Sequence, residues 1–143
     1  MSEDISLETF LGIEFLGYRV QDAVDKLRLE KHGHIMNALE RQDDGMQEIA
    51  LVWGYQNILD PSDGAGMEHI IFRRTSQGID IDEFFKDFAE VVEKGILKGK
   101  NKEGRYEIWY NRKLVVLAPE YNDHKMMYLL TAFKQSKIGK PLQ

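Results

Sequence analysis

Gly66-Met67-Glu68-His69-Ile70-Ile71-Phe72-Arg73-Arg74 is the stretch on which the reading of this chain turns. As a helix it sets Met67, Ile70, Ile71 and Arg74 at i, i+3, i+4 and i+7 spacing, and the first three make an apolar stripe. His69 and Arg73 then stand one turn apart and share a face. A titratable imidazole beside a permanent cation suits chemistry on a phosphate of nucleic acid. The plainer reading is a histidine that caps or packs in a core, with the arginines in solvent.

Working outward, the totals narrow the classes. A chain of 143 residues fits one domain with a sizeable core. No apolar run approaches the length that spans a bilayer, so no membrane partner is expected. The opening Met1-Ser2-Glu3-Asp4 is acidic where a signal peptide would be basic, and a cytoplasmic location is expected. The absence of cysteine removes disulfides, thiol chemistry and zinc–thiolate sites. No His/Asp/Glu cluster has metal-ligand spacing and no glycine loop could cradle a phosphate, so neither metal nor cofactor is expected.

The net charge of −5 conceals a polarity: residues 1–48 carry −6, residues 49–93 carry −6, and residues 94–143 carry +7. A basic last third on an acidic body offers a local footprint for a polyanion such as RNA. The acidic two thirds limit nonspecific sticking, or meet a basic partner. A basic edge that only aids solubility is the plainer alternative.

The chain upstream of the central helix reads as an irregular apolar segment, Ile5 to Leu16, and a helix, Tyr18 to Lys31, with Val20, Ala23, Val24 and Leu27 as its stripe and Gly33 as its stop. His34–Leu39 and Gln47–Trp53 are strands joined through Asp44-Gly45, the second buried on both faces. Residues 54–65 form a loop with Asp60-Pro61-Ser62-Asp63-Gly64 as breakers. Downstream, a helix over residues 82–94 is capped by Asp80 or Asp82 and stopped by Gly95. Its phenylalanines at 84, 85 and 88 read as core. Tyr106–Tyr110 and Leu114–Ala118 pair about Asn111-Arg112, residues 119–125 form a loop, and the last strand is Met126–Phe133. Alternation in that strand puts Met127, Leu129, Thr131 and Phe133 on one face.

In this order the pieces resemble a known family. Gly66-Met67-Glu68-His69-Ile70-Ile71 is similar to a Gly-Leu-x-His-Ile motif, and Tyr128-Leu129-Leu130-Thr131-Ala132-Phe133 to a Trp-Leu-Leu-Thr-Ala-(Phe/Tyr) ending. Gly33-His34-Ile35 and Val52-Trp53-Gly54 resemble the family's first strands. The family is the phage-type branch of the barnase/EndoU/colicin/RelE-like nucleases, described as barnase/colicin-like endoribonucleases. The resemblance implies an α+β fold, with N-terminal helices packed on a mostly antiparallel sheet of about four strands. It divides the chain into a helical arm (1–32), a nuclease-like domain (33–134) and a basic tail (135–143). One departure matters: members often carry Lys-His after the motif, and this chain has Arg73-Arg74, so a second histidine is missing.

The activity implied is metal-independent endoribonuclease cleavage through the 2′-hydroxyl of RNA, as a toxin or phage-linked effector. His69 is expected as general acid or base, Arg73 and Arg105 as phosphate clamps, and Thr131 as a hydrogen-bond donor. Arg74, Tyr110 and Lys125 are expected to bind substrate. The second proton falls to tyrosine, lysine, water or a carboxylate such as Glu107. Trp53, Tyr106 and Trp109 could stack bases, though strand aromatics are more often core. Two other readings stand beside this one: a catalytically decayed module that binds RNA or protein, and a phage accessory or virion component. An immunity, antitoxin or phage protein would engage the acidic N-terminal two thirds.

Overall fold

Alternating apolar runs dominate the last third of the chain, and they build the centre of the sheet. A computed structural model describes residues 5–43 and 48–134. The helices are α1 (Leu7–Leu11), α2 (Gln21–Glu30), α3 (Met67–Ser76), α4 (Ile81–Phe85) and α5 (Phe88–Lys94). The strands are β1 (His34–Glu40), β2 (Glu48–Val52), β3 (Tyr55–Gln56), β4 (Gly64–Ala65), β5 (Ile96–Lys100), β6 (Tyr106–Tyr110), β7 (Lys113–Tyr121) and β8 (His124–Lys134). Six of them form one sheet in the order β1-β2-β8-β7-β6-β5, while β3 and β4 pair separately. Every neighbour in the large sheet is antiparallel except β2 and β8, which run parallel.

The fold is therefore α+β, as expected, but its sheet has six strands rather than about four. The strand that the sequence concealed is β5 at the edge. It holds Gly99 and two lysines, Ile96 is largely exposed, and its pairing with β6 slips between Leu97 and Gly99. A lysine-rich, bulged edge strand is poor at recruiting further strands and carries little alternation.

Other boundaries moved for local reasons. Val20 precedes α2 at φ 59° instead of joining its stripe, while Ala23, Val24 and Leu27 are buried as the spacing requires. The helix over 82–94 is two helices, with Asp80 capping the first through the Glu83 amide. The break lets the rings of Phe84, Phe85 and Phe88 converge, with centroids 4.9–6.0 Å apart. Residues 119–125 are the ends of β7 and β8 and the tight turn between them, where Asn122 and Asp123 take φ of 48° and 66°. Asn and Asp tolerate that left-handed backbone better than most residues. The Asp44-Gly45 turn and the basic tail lie outside the described residues. No helix among those residues is long and apolar enough to cross a membrane.

The sheet has two unlike faces. On one, α2, α4 and α5 cover Ile35, Leu51, Ile108, Val115, Leu117 and Leu129 in the main core. On the other, Phe10 of α1 stacks on Tyr121 at 4.1 Å and meets Tyr128 edge-on, and the cover stops short of the β6 end. The N-terminal segment thus supplies core to both faces.

One irregularity places the site. Val116 pairs with Thr131, but the next residue, Leu117, pairs with Leu129, so Leu130 is an extra residue in β8. A β-bulge of this kind re-aims the side chains beside it. Met127 and Leu129 face the main core, whereas Phe133 lies with Leu130 on the opposite side, and Thr131 lines the hollows there. Met127, Leu129, Thr131 and Phe133 therefore do not share the one face that simple alternation predicts, because the bulge shifts the last two to the other side.

Candidate active site

Helix α3 hangs from β8 at two points. Its N-cap, Gly66, donates its amide to Leu130 O at the bulge (2.8 Å), and Arg74 Nη1 donates to Ala132 O (2.7 Å). Gly66 sits at φ 89°, and a Cβ there would lie 2.7 Å from Val52 O, so no other residue fits without moving β2. Between these anchors lies His69.

His69 lines an open cavity of about 310 Å³ with Asp60, Asp63, Arg105, Tyr128 and Thr131. Its Nδ1 is 2.6 Å from Gln56 Oε1. The Gln56 amide nitrogen faces the Asn57 carbonyl at 2.8 Å, with those of Asp60 and Pro61 near the hydrogen-bonding limit. Carbonyls only accept, so this end of the amide is the donor and Oε1 accepts from His69 Nδ1–H. The imidazole is thereby held in the tautomer whose Nε2 carries the lone pair. Gly64 makes room for the contact: a Cβ there would lie 2.5 Å from both His69 Nδ1 and Gln56 Oε1.

The electrostatics favour the neutral ring. Burial, then Arg73 and Arg74, push the His69 pKa down to about 4, with Asp63 opposing weakly. At neutral pH His69 is an uncharged acceptor, not a cation.

Thr131 approaches the same cavity from the bulge. It is 9% exposed, and its Oγ1 is buried without a hydrogen-bond partner. A buried hydroxyl left unpaired is costly, and this one meets the cavity only if the side chain turns. Arg105 enters from the start of β6, partly exposed, 4.0 Å from Glu103. Its backbone amide is fixed by Asn101 Oδ1 at 3.0 Å.

The other expected residues stand elsewhere. Arg73 does not line the cavity; its Nη1 donates to Pro61 O at 3.0 Å and ties down the loop that holds Gln56. Arg74 is 1% exposed, its guanidinium lies 4.8 Å from the Phe133 ring centroid, and it does not line the cavity. Burial lowers its pKa to about 10, which leaves it charged at neutral pH. Tyr110 is bonded to Glu90 on the helix-covered side. Lys125 is exposed and pairs in register with Glu120, which does line the cavity. Glu107 and Trp109 line an adjoining hollow. Gln56, Gly64 and Asp63 carried no functional signal in the sequence, because their loop read only as a series of breakers. Among the described residues, no group of three or more His, Asp or Glu could hold a metal ion.

A model of the phage-Barnase-EndoU-ColicinE5/D-RelE like nuclease family matches residues 38–139, from within β1 to beyond β8. No curated protein and no solved structure matches the chain.

Proposed function

The chain belongs to the phage-Barnase-EndoU-ColicinE5/D-RelE like nuclease family, and from that premise we propose that it is an endoribonuclease that cuts RNA by internal transfer to the 2′-hydroxyl. The observation that carries this reading is the meeting of His69, Arg105 and Thr131, from three separate elements, around one open cavity.

His69 Nε2 takes the proton of the 2′-hydroxyl as its oxygen attacks phosphorus. The P–O5′ bond breaks, a 2′,3′-cyclic phosphate forms, and the leaving 5′-oxygen takes a proton from water in the cavity. Arg105 supplies a fixed positive charge to the phosphoryl oxygens, and Thr131 Oγ1–H donates to one of them. Arg73 serves as a positioning residue through Pro61. Bound phosphate stabilises the imidazolium that the transfer creates, which offsets the low pKa of the empty site.

The test is direct. Labelled RNA is incubated with purified protein and excess chelator, and the products are examined for cyclic phosphate ends. The proposal expects such ends from the wild type and little from His69→Ala. No cleavage, or equal cleavage by both proteins, refutes it.

One observation favours a second reading, a binding module of the same fold. Asp60, Asp63 and Glu120 line the cavity beside the single guanidinium of Arg105, so three carboxylates confront an incoming phosphate. Such a lining suits a basic protein partner. Stoichiometric binding without turnover between about pH 5 and 9, the span across which histidine titrates, selects this reading.

A further inference from the structure

Next to the His69 cavity, on the same face of the sheet, lies a second hollow of about 430 Å³. Arg105, Leu130 and Thr131 line both, so the two adjoin. Their outer ends differ in charge. At the His69 end stand Asp60, Asp63 and Glu120, and the loop over residues 57–63 carries two carboxylates and no cation. Trp109 and the β5–β6 hairpin form the far end, where residues 96–109 carry four cations and two carboxylates. RNA is a polyanion, so this gradient gives a strand one favourable direction away from His69. We infer that the RNA runs from His69 towards β5, and that Lys98 there holds a flanking phosphate of its backbone without regard to base sequence. This inference rests on the RNA-cleaving reading above.

The backbone of β5 separates that lysine from its neighbour. Leu97 pairs with Ile108 and Gly99 with Glu107, so Lys98 is an extra residue in the strand. In a regular strand Lys98 and Lys100 would share a face. The bulge parts them. Lys98 Nζ lies 5.9 Å from the ring centroid of Trp109, a wall of the second hollow. Lys100 pairs instead with Tyr106, whose ring packs on the helix-covered core, and its Nζ lies 5.3 Å from that ring. Gly99 permits the bulge, at a φ of 113° that side chains rarely adopt.

Lys98 is exposed and makes no ion pair among the described residues. Both carboxylates of the hollow are engaged: Glu107 Oε2 accepts from Asn101 Nδ2 at 3.2 Å, and Glu103 lies 4.0 Å from Arg105. An uncompensated ammonium beside an aromatic face, at the rim of a groove, suits the backbone of a single strand lying across it.

The experiment measures binding of fluorescein-labelled, non-cleavable 2′-O-methyl RNA octamers of A or of U to the full chain, by anisotropy, between about 50 and 200 mM salt. Each phosphate contact to a single strand contributes about 0.7 to the slope of log affinity on log salt. Lys98→Gln is expected to flatten the slope by about 0.7 and to weaken binding about fivefold at the lowest salt, equally for both octamers, and Lys98→Arg to restore both quantities. Lys100→Gln removes the same charge from the other face and is expected to have less than half of either effect. An unchanged slope in Lys98→Gln, equal effects of the two glutamine variants, a change confined to one octamer, or no binding at the lowest salt overturns the inference. These readouts do not need turnover. Cleavage in chelator with Lys98→Gln binding like the wild type leaves the nuclease reading standing and removes this one, whereas Lys98-dependent binding without cleavage does the reverse.

Discussion

The two faces of the sheet are built from the same strands and finished in opposite ways. The helix-covered face buries Phe85, Phe88, Ile108, Val115 and Leu129 at 0% exposure, a close-packed apolar layer. The opposite face is covered only where α1 and the β3–β4 ribbon reach. Beyond them lie two hollows, lined by Thr131 and Trp109 whose Oγ1 and Nε1 are buried without partners; the other two such atoms among the described residues, Arg74 Nε and Gln77 Oε1, belong to α3 and its C-terminal cap. Each such atom carries a cost that a fully apolar layer avoids. The difference separates the residues that hold the fold from those free to meet a ligand, and it predicts that stability and activity will respond to different substitutions.

The largest contrast is between His69 and Phe88. His69→Ala is expected to lower RNA cleavage by about 10²–10⁴-fold, the usual worth of a general base. Phe88→Ala is expected to cost about 3–5 kcal/mol of unfolding free energy in denaturant titrations, with cleavage per folded molecule retained. Loss of cleavage from folded Phe88→Ala protein would erase the distinction between faces.

Next in size is the pH response of the imidazole. The folded ring titrates near 4 and the unfolded ring near 6.5, so the unfolded state binds the proton first. Above about pH 6.5 His69 adds no pH dependence to stability. As pH falls through that window stability is lost, and below about 4 the loss from this group approaches about 3 kcal/mol. The difference between wild type and His69→Gln in chemical unfolding at stepped pH isolates it. In kcat/KM for RNA, the acidic limb assigned to His69 is expected near pH 4; a limb near 6.5 would mean a solvated ring.

Gly64→Ala tests the seat of that ring. The added methyl meets His69 Nδ1 and Gln56 Oε1, so cleavage is expected to fall about tenfold or more, since small misplacements of catalytic groups are costly. Gly78→Ala is the control, because its Cβ would meet nothing, although its positive φ carries some strain of its own. The smallest stability effect belongs to Thr131→Val. It removes an unpartnered hydroxyl at nearly constant shape, so stability is expected to stay within about 1 kcal/mol or rise, while cleavage falls.

Much of this was legible in the sequence, and the failures have physical causes. The spacing of Met67, Ile70 and Ile71 revealed α3, and it also placed Arg74 on the apolar stripe. A guanidinium at that position is easily assumed to be solvated. Instead it is buried and bonded to a strand carbonyl, because a long side chain can reach the backbone of a neighbouring element. Arg73, one residue earlier, points to a loop whose path no local pattern reveals. Thr131 could be named from its motif but not oriented, since a bulge changes register without changing composition. Gln56 was invisible because its value lies in where a loop returns, not in what surrounds it in sequence.

In the proposed reaction an imidazole from α3 and a hydroxyl from the β8 bulge act on one phosphate. A double-mutant cycle on RNA cleavage, with His69→Ala and Thr131→Val made singly and together, measures whether they do. Groups that serve one transition state are non-additive, so the double variant is expected to be scarcely slower than His69→Ala alone. Losses that multiply independently, or a Thr131→Val enzyme as fast as wild type, would contradict it.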